Sequence, residues 1–407
     1  MTTKTDQVAQ TSEFPFRRAN PLNPPPAYAD FRNTGRLKKV QLWNGKNAWL
    51  ITKYDDVKSI ISSPNVSANP FTPGYPFMSP RREASIKSYL TFLVMDPPDH
   101  TKFRMMLTGD FRQKRMQELR PKMEKMVDDL IDNMLAKKAP VDFVDVFSQK
   151  LPVNVISALL GVPHEIDDQL IQWVTEQLGL TGDPAVVIKA NQDMLAYFDQ
   201  LIAKMEKGPI DENQDMLSKL VANVQSGSIE RMDAVRLAWQ LYFAGADTTA
   251  NMIALGTLSL MLDSEQRNKL VANPSLVENA VEEMLRYHAV AHFNVGRAAT
   301  ADLKVGDEVI PKGDGLYALN NAAGRDPTVF PEPDKFDIER KNASDHVTFG
   351  YGIHQCLGQT LARLELRCVF AKLFQRVPGL KLAVPFEQLR FKEDMHVYGL
   401  HSMPVTW

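Results

Sequence analysis

The hydrophobic pattern of the chain predicts a mainly helical protein with a few short strands. Apolar positions recur at helical spacing through residues 116–224, with breaks at proline and glycine clusters such as residues 179–184. Nearer the N-terminus, the apolar segments 40–43 and 48–52 flank Asn44-Gly45, which is typical of a β-hairpin. Residues 303–319 predict further short strands. The expected fold class is therefore mainly α with small β-sheets.

The most apolar part of the chain is residues 237–262, and its pattern predicts one long helix that begins near Ile229. Gln240, Asp247 and Asn251 interrupt this segment, and a helix facing lipid would tolerate them poorly. We therefore expect a helix that crosses a protein core, with no membrane span. Residues 1–12 are polar and lack the apolar region of a signal peptide, and residues 1–27 are rich in proline and expected to be irregular.

Composition narrows the class of protein. The 407 residues are 44% hydrophobic, enough for one large core, and no linker divides them, so a single catalytic domain over residues 1–407 is expected. A net charge of −2 argues against nucleic acid as a partner. Cys356 and Cys368 form no disulfide framework, which favours a cytoplasmic location, and Cys368 is expected to be a buried apolar side chain.

The clearest chemical signal is the segment Phe349 to Gly358, which reads Phe-Gly-Tyr-Gly-Ile-His-Gln-Cys-Leu-Gly. A cysteine thiolate can be the axial ligand of a haem iron if it stays deprotonated and lies close to the flat ring. Gly350, Gly352 and Gly358 would let the backbone approach such a ring where a Cβ would collide. An apolar helical pattern follows, so Cys356 should lie near a helix N-terminus, whose amides favour an anionic sulfur.

This segment is a complete match to Phe-Gly-x-Gly-x-His-x-Cys-x-Gly, the haem-ligand signature of the cytochrome P-450 family, and the chain resembles that family over nearly its whole length. The resemblance implies the cytochrome P-450 fold, with haem b between the long central helix and the helix after the cysteine. It implies that Cys356 is the ligand of the iron. Further haem contacts implied by the resemblance are Ala244, Phe349, Gly350, His354 and Gly358.

Within the long helix, the string Ala244-Gly245-Ala246-Asp247-Thr248-Thr249 contains the candidate catalytic residues. Gly245 inside a helix costs about 1 kcal/mol relative to alanine, so some gain should offset it. Thr248 can donate its hydroxyl to a preceding carbonyl, and with Gly245 it could open a groove over the ring. Asp247 and Thr248 resemble the acid–alcohol pair of oxygen-activating family members. Adjacent helical residues point about 100° apart, so water or a side-chain swing must complete a proton route.

Basic residues elsewhere match positions that contact the haem propionates in the family. His100 and Arg104 are four residues apart and share a helix face. The resemblance implies that both approach the propionates, together with Arg297 and His354. A basic cluster lies nearby and is either a solvated face or a docking patch for an acidic electron donor. Its members are Lys102, Arg112, Lys114 and Arg115.

A structural network is implied by Glu283 and Arg286, which form the Glu-x-x-Arg motif of the family. The family ties this pair to an arginine in a later meander, and here that residue should be Arg340. Loss of one partner would leave a buried charge unpaired.

The substrate pocket is expected from segments that pass beside the haem. Residues 64–82 combine five prolines with aromatic residues including Phe77, which suggests a mobile lid or a plain loop. Met395 could return to the pocket in a C-terminal hairpin, and His292 could contact substrate or be a satisfied polar residue. The other residues expected to contact substrate are Val290, Ala291, Phe293 and Asn294.

The family contains enzymes of different activity. In outline the chain resembles soluble bacterial members, and several stretches also resemble the fungal branch that reduces nitric oxide with electrons taken directly from NADH or NADPH. That branch has a non-acidic residue at the position of Asp247 and a serine near that of Ala291. A carboxylate restores a proton donor for oxygen cleavage. We therefore expect a monooxygenase that inserts one oxygen atom from O2 into a small organic substrate, with nitric oxide reductase as the alternative.

The electron source is expected to be a separate protein. The chain contains no Rossmann glycine fingerprint and no flavin or iron–sulfur segment, so electrons from NAD(P)H should arrive through a ferredoxin and a ferredoxin reductase. A third interpretation is a haem protein without catalysis, which senses gas or carries electrons. The Asp247-Thr248 pair argues against it, because a sensor needs no proton route.

Overall fold

The computed structural model describes residues 14–88, 90–292 and 295–407, and helices dominate this part of the chain. The helices are α1 (Pro26–Asn33), α2 (Tyr54–Ser62), α3 (Pro80–Ser88), α4 (Asp99–Thr108), α5 (Gln113–Leu135), α6 (Lys150–Leu160), α7 (Asp167–Leu178), α8 (Pro184–Met205), α9 (Met216–Gln225), α10 (Arg231–Leu262), α11 (Ser264–Ala272), α12 (Val277–His288), α13 (Asn320–Ala323) and α14 (Gln359–Arg376). Because α1 begins at Pro26, the segment expected to be irregular ends earlier than residue 27.

Short strands form small sheets. They are β1 (Lys38–Gln41), β2 (Asn47–Ile51), β3 (Val66–Ser67), β4 (Val141–Asp142), β5 (Gly296–Ala299), β6 (Leu303–Val305), β7 (Glu308–Ile310), β8 (Gly315–Ala318), β9 (Lys381–Leu382), β10 (Arg390–Phe391), β11 (Leu400–Ser402) and β12 (Pro404–Thr406). The largest sheet has the order β1-β2-β8-β5-β3, and β2 and β8 are its parallel pair. The predicted fold class, mainly α with small sheets, is confirmed.

Local signals explain the predicted hairpin. Strands β1 and β2 pair antiparallel, with Val40 opposite Ala48. Gly45 takes φ +76° in the turn and donates its N–H to the carbonyl of Leu42 at 2.9 Å. A residue with a Cβ adopts this left-handed conformation at a cost, which is why Asn-Gly predicts the turn so well.

Helix α10 is the long helix that the apolar pattern predicted. Its first turn has a capping box, in which the Glu230 and Asp233 side chains each accept from the other's backbone N–H. Most of its side chains are buried, because α6, α8, α9, α12 and α14 pack around it. Within residues 14–88, 90–292 and 295–407, no helix has the length and apolarity that a membrane span requires.

The C-terminal segment folds back onto the helical core as an antiparallel hairpin of β10 and β11. The loop between these strands contacts two other parts of the chain. The N–H of His396 donates to the carbonyl of Leu178 at 2.7 Å, and the N–H of Tyr398 donates to that of Val290 at 2.8 Å. The hairpin therefore joins the turn after α7 to the segment that follows α12.

Candidate functional site

The loop before α14 presents Cys356 in a fixed backbone conformation. The N–H of Cys356 donates to the carbonyl of Phe349 at 2.8 Å, which closes the loop on itself. Gly350 and Gly352 take φ values of +73° and +76°. A Cβ at Gly352 would also lie 3.1 Å from the carbonyl oxygen of Ile61 in α2. The positive φ values explain why both positions are glycine, and packing on α2 adds to the requirement at Gly352. The approach of these glycines to a flat ring stays a prediction.

The Cys356 thiol is exposed and lies at the N-terminus of α14. Although the residue as a whole is exposed, desolvation of the sulfur raises the pKa of this thiol. The backbone N–H groups of Gly358 and Gln359 and the charges of Arg104 and Arg363 act to lower the pKa. Coordination of a metal ion deprotonates a thiol outright, and the same amides then stabilise the thiolate. Gly358 has an ordinary φ of −81°, and no described atom lies within 4 Å of its Cβ position.

Helix α10 leaves a small part of its surface uncovered. Ala244 is exposed and Thr248, one turn later, is partly exposed, although Ala246 and Asp247 between them are buried. The hydroxyl of Thr248 donates to the carbonyl oxygen of Ala244 at 2.9 Å, as the sequence suggested. Gly245 allows the close packing of α6 on this helix, because its Cβ position lies 3.2 Å from Ile156. The groove expected at this glycine stays a prediction.

Four basic side chains gather beside the cysteine loop. The His100 and His354 rings are 4.3 Å apart, and the guanidinium of Arg104 donates to the carbonyl of Gln355 at 2.6 Å. The Arg297 guanidinium is buried and donates to the carbonyl oxygen of Gly296 at 2.8 Å. The two arginines that were predicted to bind propionates thus lie around the two histidines.

The electrostatics of this basic cluster fit an anionic group. Burial together with the charges of Arg297, His100 and Arg104 lowers the pKa of His354 to about 2. Burial and the charge of Arg104 also lower the pKa of His100, despite Asp96. Neither ring nitrogen of buried His100 has a hydrogen-bond partner among the described residues. Buried donors and like charges of this kind are costly unless an anion satisfies them, and the two propionates of a haem would do so.

Asp247 has partners that the sequence did not reveal. Its carboxylate accepts from the Asn251 side-chain amide at 2.6 Å and from the Lys392 ammonium at 3.0 Å. All three side chains are buried, and Lys392 comes from the C-terminal hairpin. Asp247 therefore faces the hairpin, whereas Thr248 lies on the uncovered face of α10.

Glu283, Arg286 and Arg340 are brought together in the core. The Glu283 carboxylate accepts from Arg286 Nε at 2.7 Å and from Arg340 Nε at 3.1 Å. The backbone N–H of Asp337 also donates to it at 2.9 Å. Both guanidinium groups donate in addition to backbone carbonyls of residues 324–335. This arrangement ties α12 to the meander that precedes the cysteine loop.

A second ion-pair cluster lies between α12 and α14, and sequence reasoning missed it. The Arg363 guanidinium donates to the Glu282 carboxylate at 2.8 and 3.0 Å, and His346 Nε2 lies 3.2 Å from the same group. Burial alone would raise the pKa of Glu282, but His346 and Arg363 lower it to about 2. The Arg363 guanidinium also stacks 4.6 Å from the ring centre of Phe349, the first residue of the cysteine loop.

The residues predicted to contact substrate occupy different surroundings. Phe77 is buried against Tyr75, Ile86 and Ala298 in a small apolar cluster. His292 is buried, and its Nε2 lies 3.3 Å from the carbonyl oxygen of Met395, a contact compatible with its interpretation as a satisfied polar residue.

The other residues predicted to contact substrate differ in burial. Val290 and Met395 are buried and Ala291 is partly buried. Phe293 and Asn294 lie outside the described residues.

Comparison with known proteins gives consistent matches. Residues 183–378 match the family model described as cytochrome P450. A vitamin D3 dihydroxylase of Streptomyces griseolus is 39% identical over 408 residues, which cover 100% of this chain and 99% of the relative. Cytochrome P450 55A3 of Fusarium lichenicola is also similar, with 34% identity over 99% of both chains.

A solved structure agrees with the sequence matches. The crystal structure of the mycinamicin VIII C21 methyl hydroxylase MycCI from Micromonospora griseorubida, bound to mycinamicin VIII, superposes with a TM-score of 0.90 and 34% identity. The match covers 97% of this chain and 100% of that structure. These matches support oxygen insertion and do not favour the alternative of nitric oxide reduction.

Proposed function

The chain belongs to the cytochrome P450 family and is a haem-thiolate monooxygenase, and we propose that Asp247 and Thr248 supply the protons its reaction consumes. The observation that carries the residue assignment is the position of Thr248. Its partly exposed hydroxyl lies one turn from exposed Ala244, on the part of α10 that other protein elements leave uncovered. Asp247 is the adjacent carboxylate.

The haem, when bound, supplies the iron on which dioxygen is activated. In our proposal Cys356 holds the iron, and the amides of Gly358 and Gln359 stabilise the sulfur. The propionates are held by His100, Arg104, Arg297 and His354. The unpartnered ring nitrogens of His100 support this assignment.

Proton delivery follows from the orientation of the two catalytic side chains. Thr248 can receive a proton and present it to the reacting oxygen, while the adjacent Asp247, protonated in turn from solvent, replaces it. Since Asp247 is buried and faces Lys392, a water molecule or a side-chain rotation must link the two groups. The roles of Glu283, Arg286 and Arg340 are structural, because they hold the meander that leads into the cysteine loop.

Electrons and substrate come from outside the chain. We propose that NAD(P)H is the ultimate electron source and that a ferredoxin, reduced by a ferredoxin reductase, docks on the exposed basic cluster. All four members of that cluster, Lys102, Arg112, Lys114 and Arg115, are exposed. The substrate is a small molecule that contacts Val290, Ala291 and Met395. We also propose a cytoplasmic location, since Cys368 and the proposed iron ligand Cys356 are not joined in a disulfide.

The catalytic assignment is tested with two variants and a matched control. The substrate is a compound selected from a small-molecule library by the high-spin shift of the haem spectrum, and electrons come from a surrogate ferredoxin system. We expect Asp247→Asn to lower turnover by roughly 10²-fold and Thr248→Ala to divert reducing equivalents into hydrogen peroxide. Thr249→Val, next along the same helix, should keep the wild-type ratio of product to NAD(P)H. Unchanged turnover in Asp247→Asn, together with an unchanged product ratio in Thr248→Ala, would refute the assignment.

A further inference from the structure

The buried partner of Asp247 is a lysine from a distant part of the chain. Lys392 Nζ lies 3.0 Å from Asp247 Oδ1, and the two side chains are only 9% and 4% exposed. Asn251, one turn along α10, donates its side-chain amide to Asp247 Oδ2 at 2.6 Å and to the Asp247 carbonyl at 2.8 Å. Both oxygens of the carboxylate are therefore occupied.

The backbone of the hairpin is fitted closely to this group. A Cβ at Gly399 would lie 1.8 Å from Oδ1 of Asn251, so a larger residue there would force the amide away from Asp247. The Lys392 N–H donates to the carbonyl of Gly399 at 2.9 Å, which fixes the lysine and the glycine relative to each other. The hairpin thus places an ammonium group on one carboxylate oxygen and holds an amide on the other.

Stability alone does not explain a buried pair of this kind. Desolvating a lysine and an aspartate costs about as much as their attraction returns, and apolar residues of similar volume often give equal or greater stability. The buried position of the pair, at the residue adjacent to Thr248, suggests a role in the reaction.

We propose that Lys392 is the positioning residue for Asp247: it holds the carboxylate towards the hairpin and away from Thr248 until a proton is to be transferred. This inference rests on the proposed catalytic role of Asp247. Proton donation then requires the Asp247 carboxylate to leave Lys392 and take up a proton from solvent, so the ion pair sets when the acid is available. Without the ammonium, the buried carboxylate loses the group that fixes its orientation, so proton transfer to Thr248 is no longer tied to movement of the hairpin and fewer electrons end in product.

The hairpin also connects this ion pair to the rim of the proposed substrate pocket. The loop that follows Lys392 bonds to the turn after α7, where Leu180 N–H donates to the carbonyl of Asp394 at 2.8 Å. It bonds as well to Val290, a predicted substrate contact, through the N–H of Tyr398. A substrate that displaces this loop therefore moves the element that carries Lys392, which links occupancy of the pocket to release of the acid.

The experiment compares Lys392→Met with Lys392→Arg, and uses Lys381→Met as a control because Lys381 is an exposed lysine of the same C-terminal segment. With the library-selected substrate and surrogate ferredoxin, we expect Lys392→Met to lower product per NAD(P)H by on the order of tenfold and to raise the solvent isotope effect. Lys392→Arg should recover most of the coupling, and Lys381→Met should match the wild type.

A second readout does not depend on turnover. If the two side chains form a buried pair, Lys392→Met lowers the Tm and the additional change Asp247→Asn restores part of the loss, because the unpaired charge is gone. The double variant should also be no less coupled than Asp247→Asn alone. Should Lys392→Met fail to fold, Lys392→Gln, which keeps a polar end group, takes its place in both measurements.

The outcomes separate the two claims. If Asp247→Asn leaves turnover unchanged, the proposed catalytic role of Asp247 is wrong. If Asp247→Asn lowers turnover but Lys392→Met behaves like Lys381→Met, Asp247 keeps its role and the inference about Lys392 is overturned. Additive Tm losses in the double variant would also overturn it.

Discussion

Replacing Glu283 by glutamine tests whether the buried network of Glu283, Arg286 and Arg340 stabilises the fold. The carboxylate accepts from Arg286 Nε and Nη2 at 2.7 and 2.8 Å, from Arg340 Nε at 3.1 Å and from the Asp337 N–H at 2.9 Å. A glutamine amide turns one of the two acceptor oxygens into a donor, which then faces guanidinium donors. It also leaves two buried cations without an anion, held by backbone carbonyls alone.

The expected loss follows from the burial of the network. Glu283 and Arg286 side chains are 0% exposed and the Arg340 side chain is 7% exposed. Breaking a buried pair on this scale costs about 3–5 kcal/mol, because the remaining charge is uncompensated. Glu278 on the same helix offers a matched control: its side chain is 67% exposed and lies 3.6 Å from Arg367. An exposed pair contributes about 0–1 kcal/mol.

The assay is urea unfolding of the haem-loaded protein, followed by far-ultraviolet circular dichroism. Glu283→Gln should lower the free energy of unfolding by several times the loss in Glu278→Gln. The Soret band should be lost at lower urea concentration in the first variant, because the network holds the meander before the cysteine loop. Equal losses in the two variants would refute the claim that burial of the charges determines their contribution.

Two further predictions concern Glu282 and Gly399. The pKa of Glu282 is lowered to about 2 from an ordinary 4.5, so its carboxylate stabilises the fold above pH 4.5. This contribution to the free energy of unfolding, about 3 kcal/mol, is lost as pH falls from 4.5 towards 2. Urea midpoints should show Glu282→Gln well below wild type at pH 7, with the gap closing under pH 4.5; a gap independent of pH contradicts this. Gly399→Ala should lower product per NAD(P)H, because the added Cβ displaces the Asn251 amide; wild-type coupling would exclude that steric effect.

Local sequence signals predicted the elements that carry the site. Asn44-Gly45 predicted the first hairpin because a two-residue signal determines that turn. The interrupted apolar run predicted α10, since buried helices need long apolar segments. The relation between Thr248 and the Ala244 carbonyl followed from helix geometry alone, because the two residues are one turn apart.

Contacts between distant segments could not be predicted in the same way. Lys392 is 145 residues from Asp247 in the chain, and an isolated lysine in a polar tail looks like an exposed one. Arg363 and Glu282 likewise meet only because α12 and α14 pack together. Arg340 was identified beforehand through a family motif, not through its own surroundings. Such pairs depend on the packing of whole elements, which local hydrophobic patterns do not encode.

The most direct test of the account is the carbon monoxide difference spectrum of the reduced protein. If the Cys356 thiolate binds the iron, this difference spectrum should have its main band at about 450 nm. The band should persist in Cys368→Ala and disappear in Cys356→Ser. An undamaged wild-type preparation that absorbs at about 420 nm, or that carries no haem, would contradict the claim that Cys356 binds a haem iron.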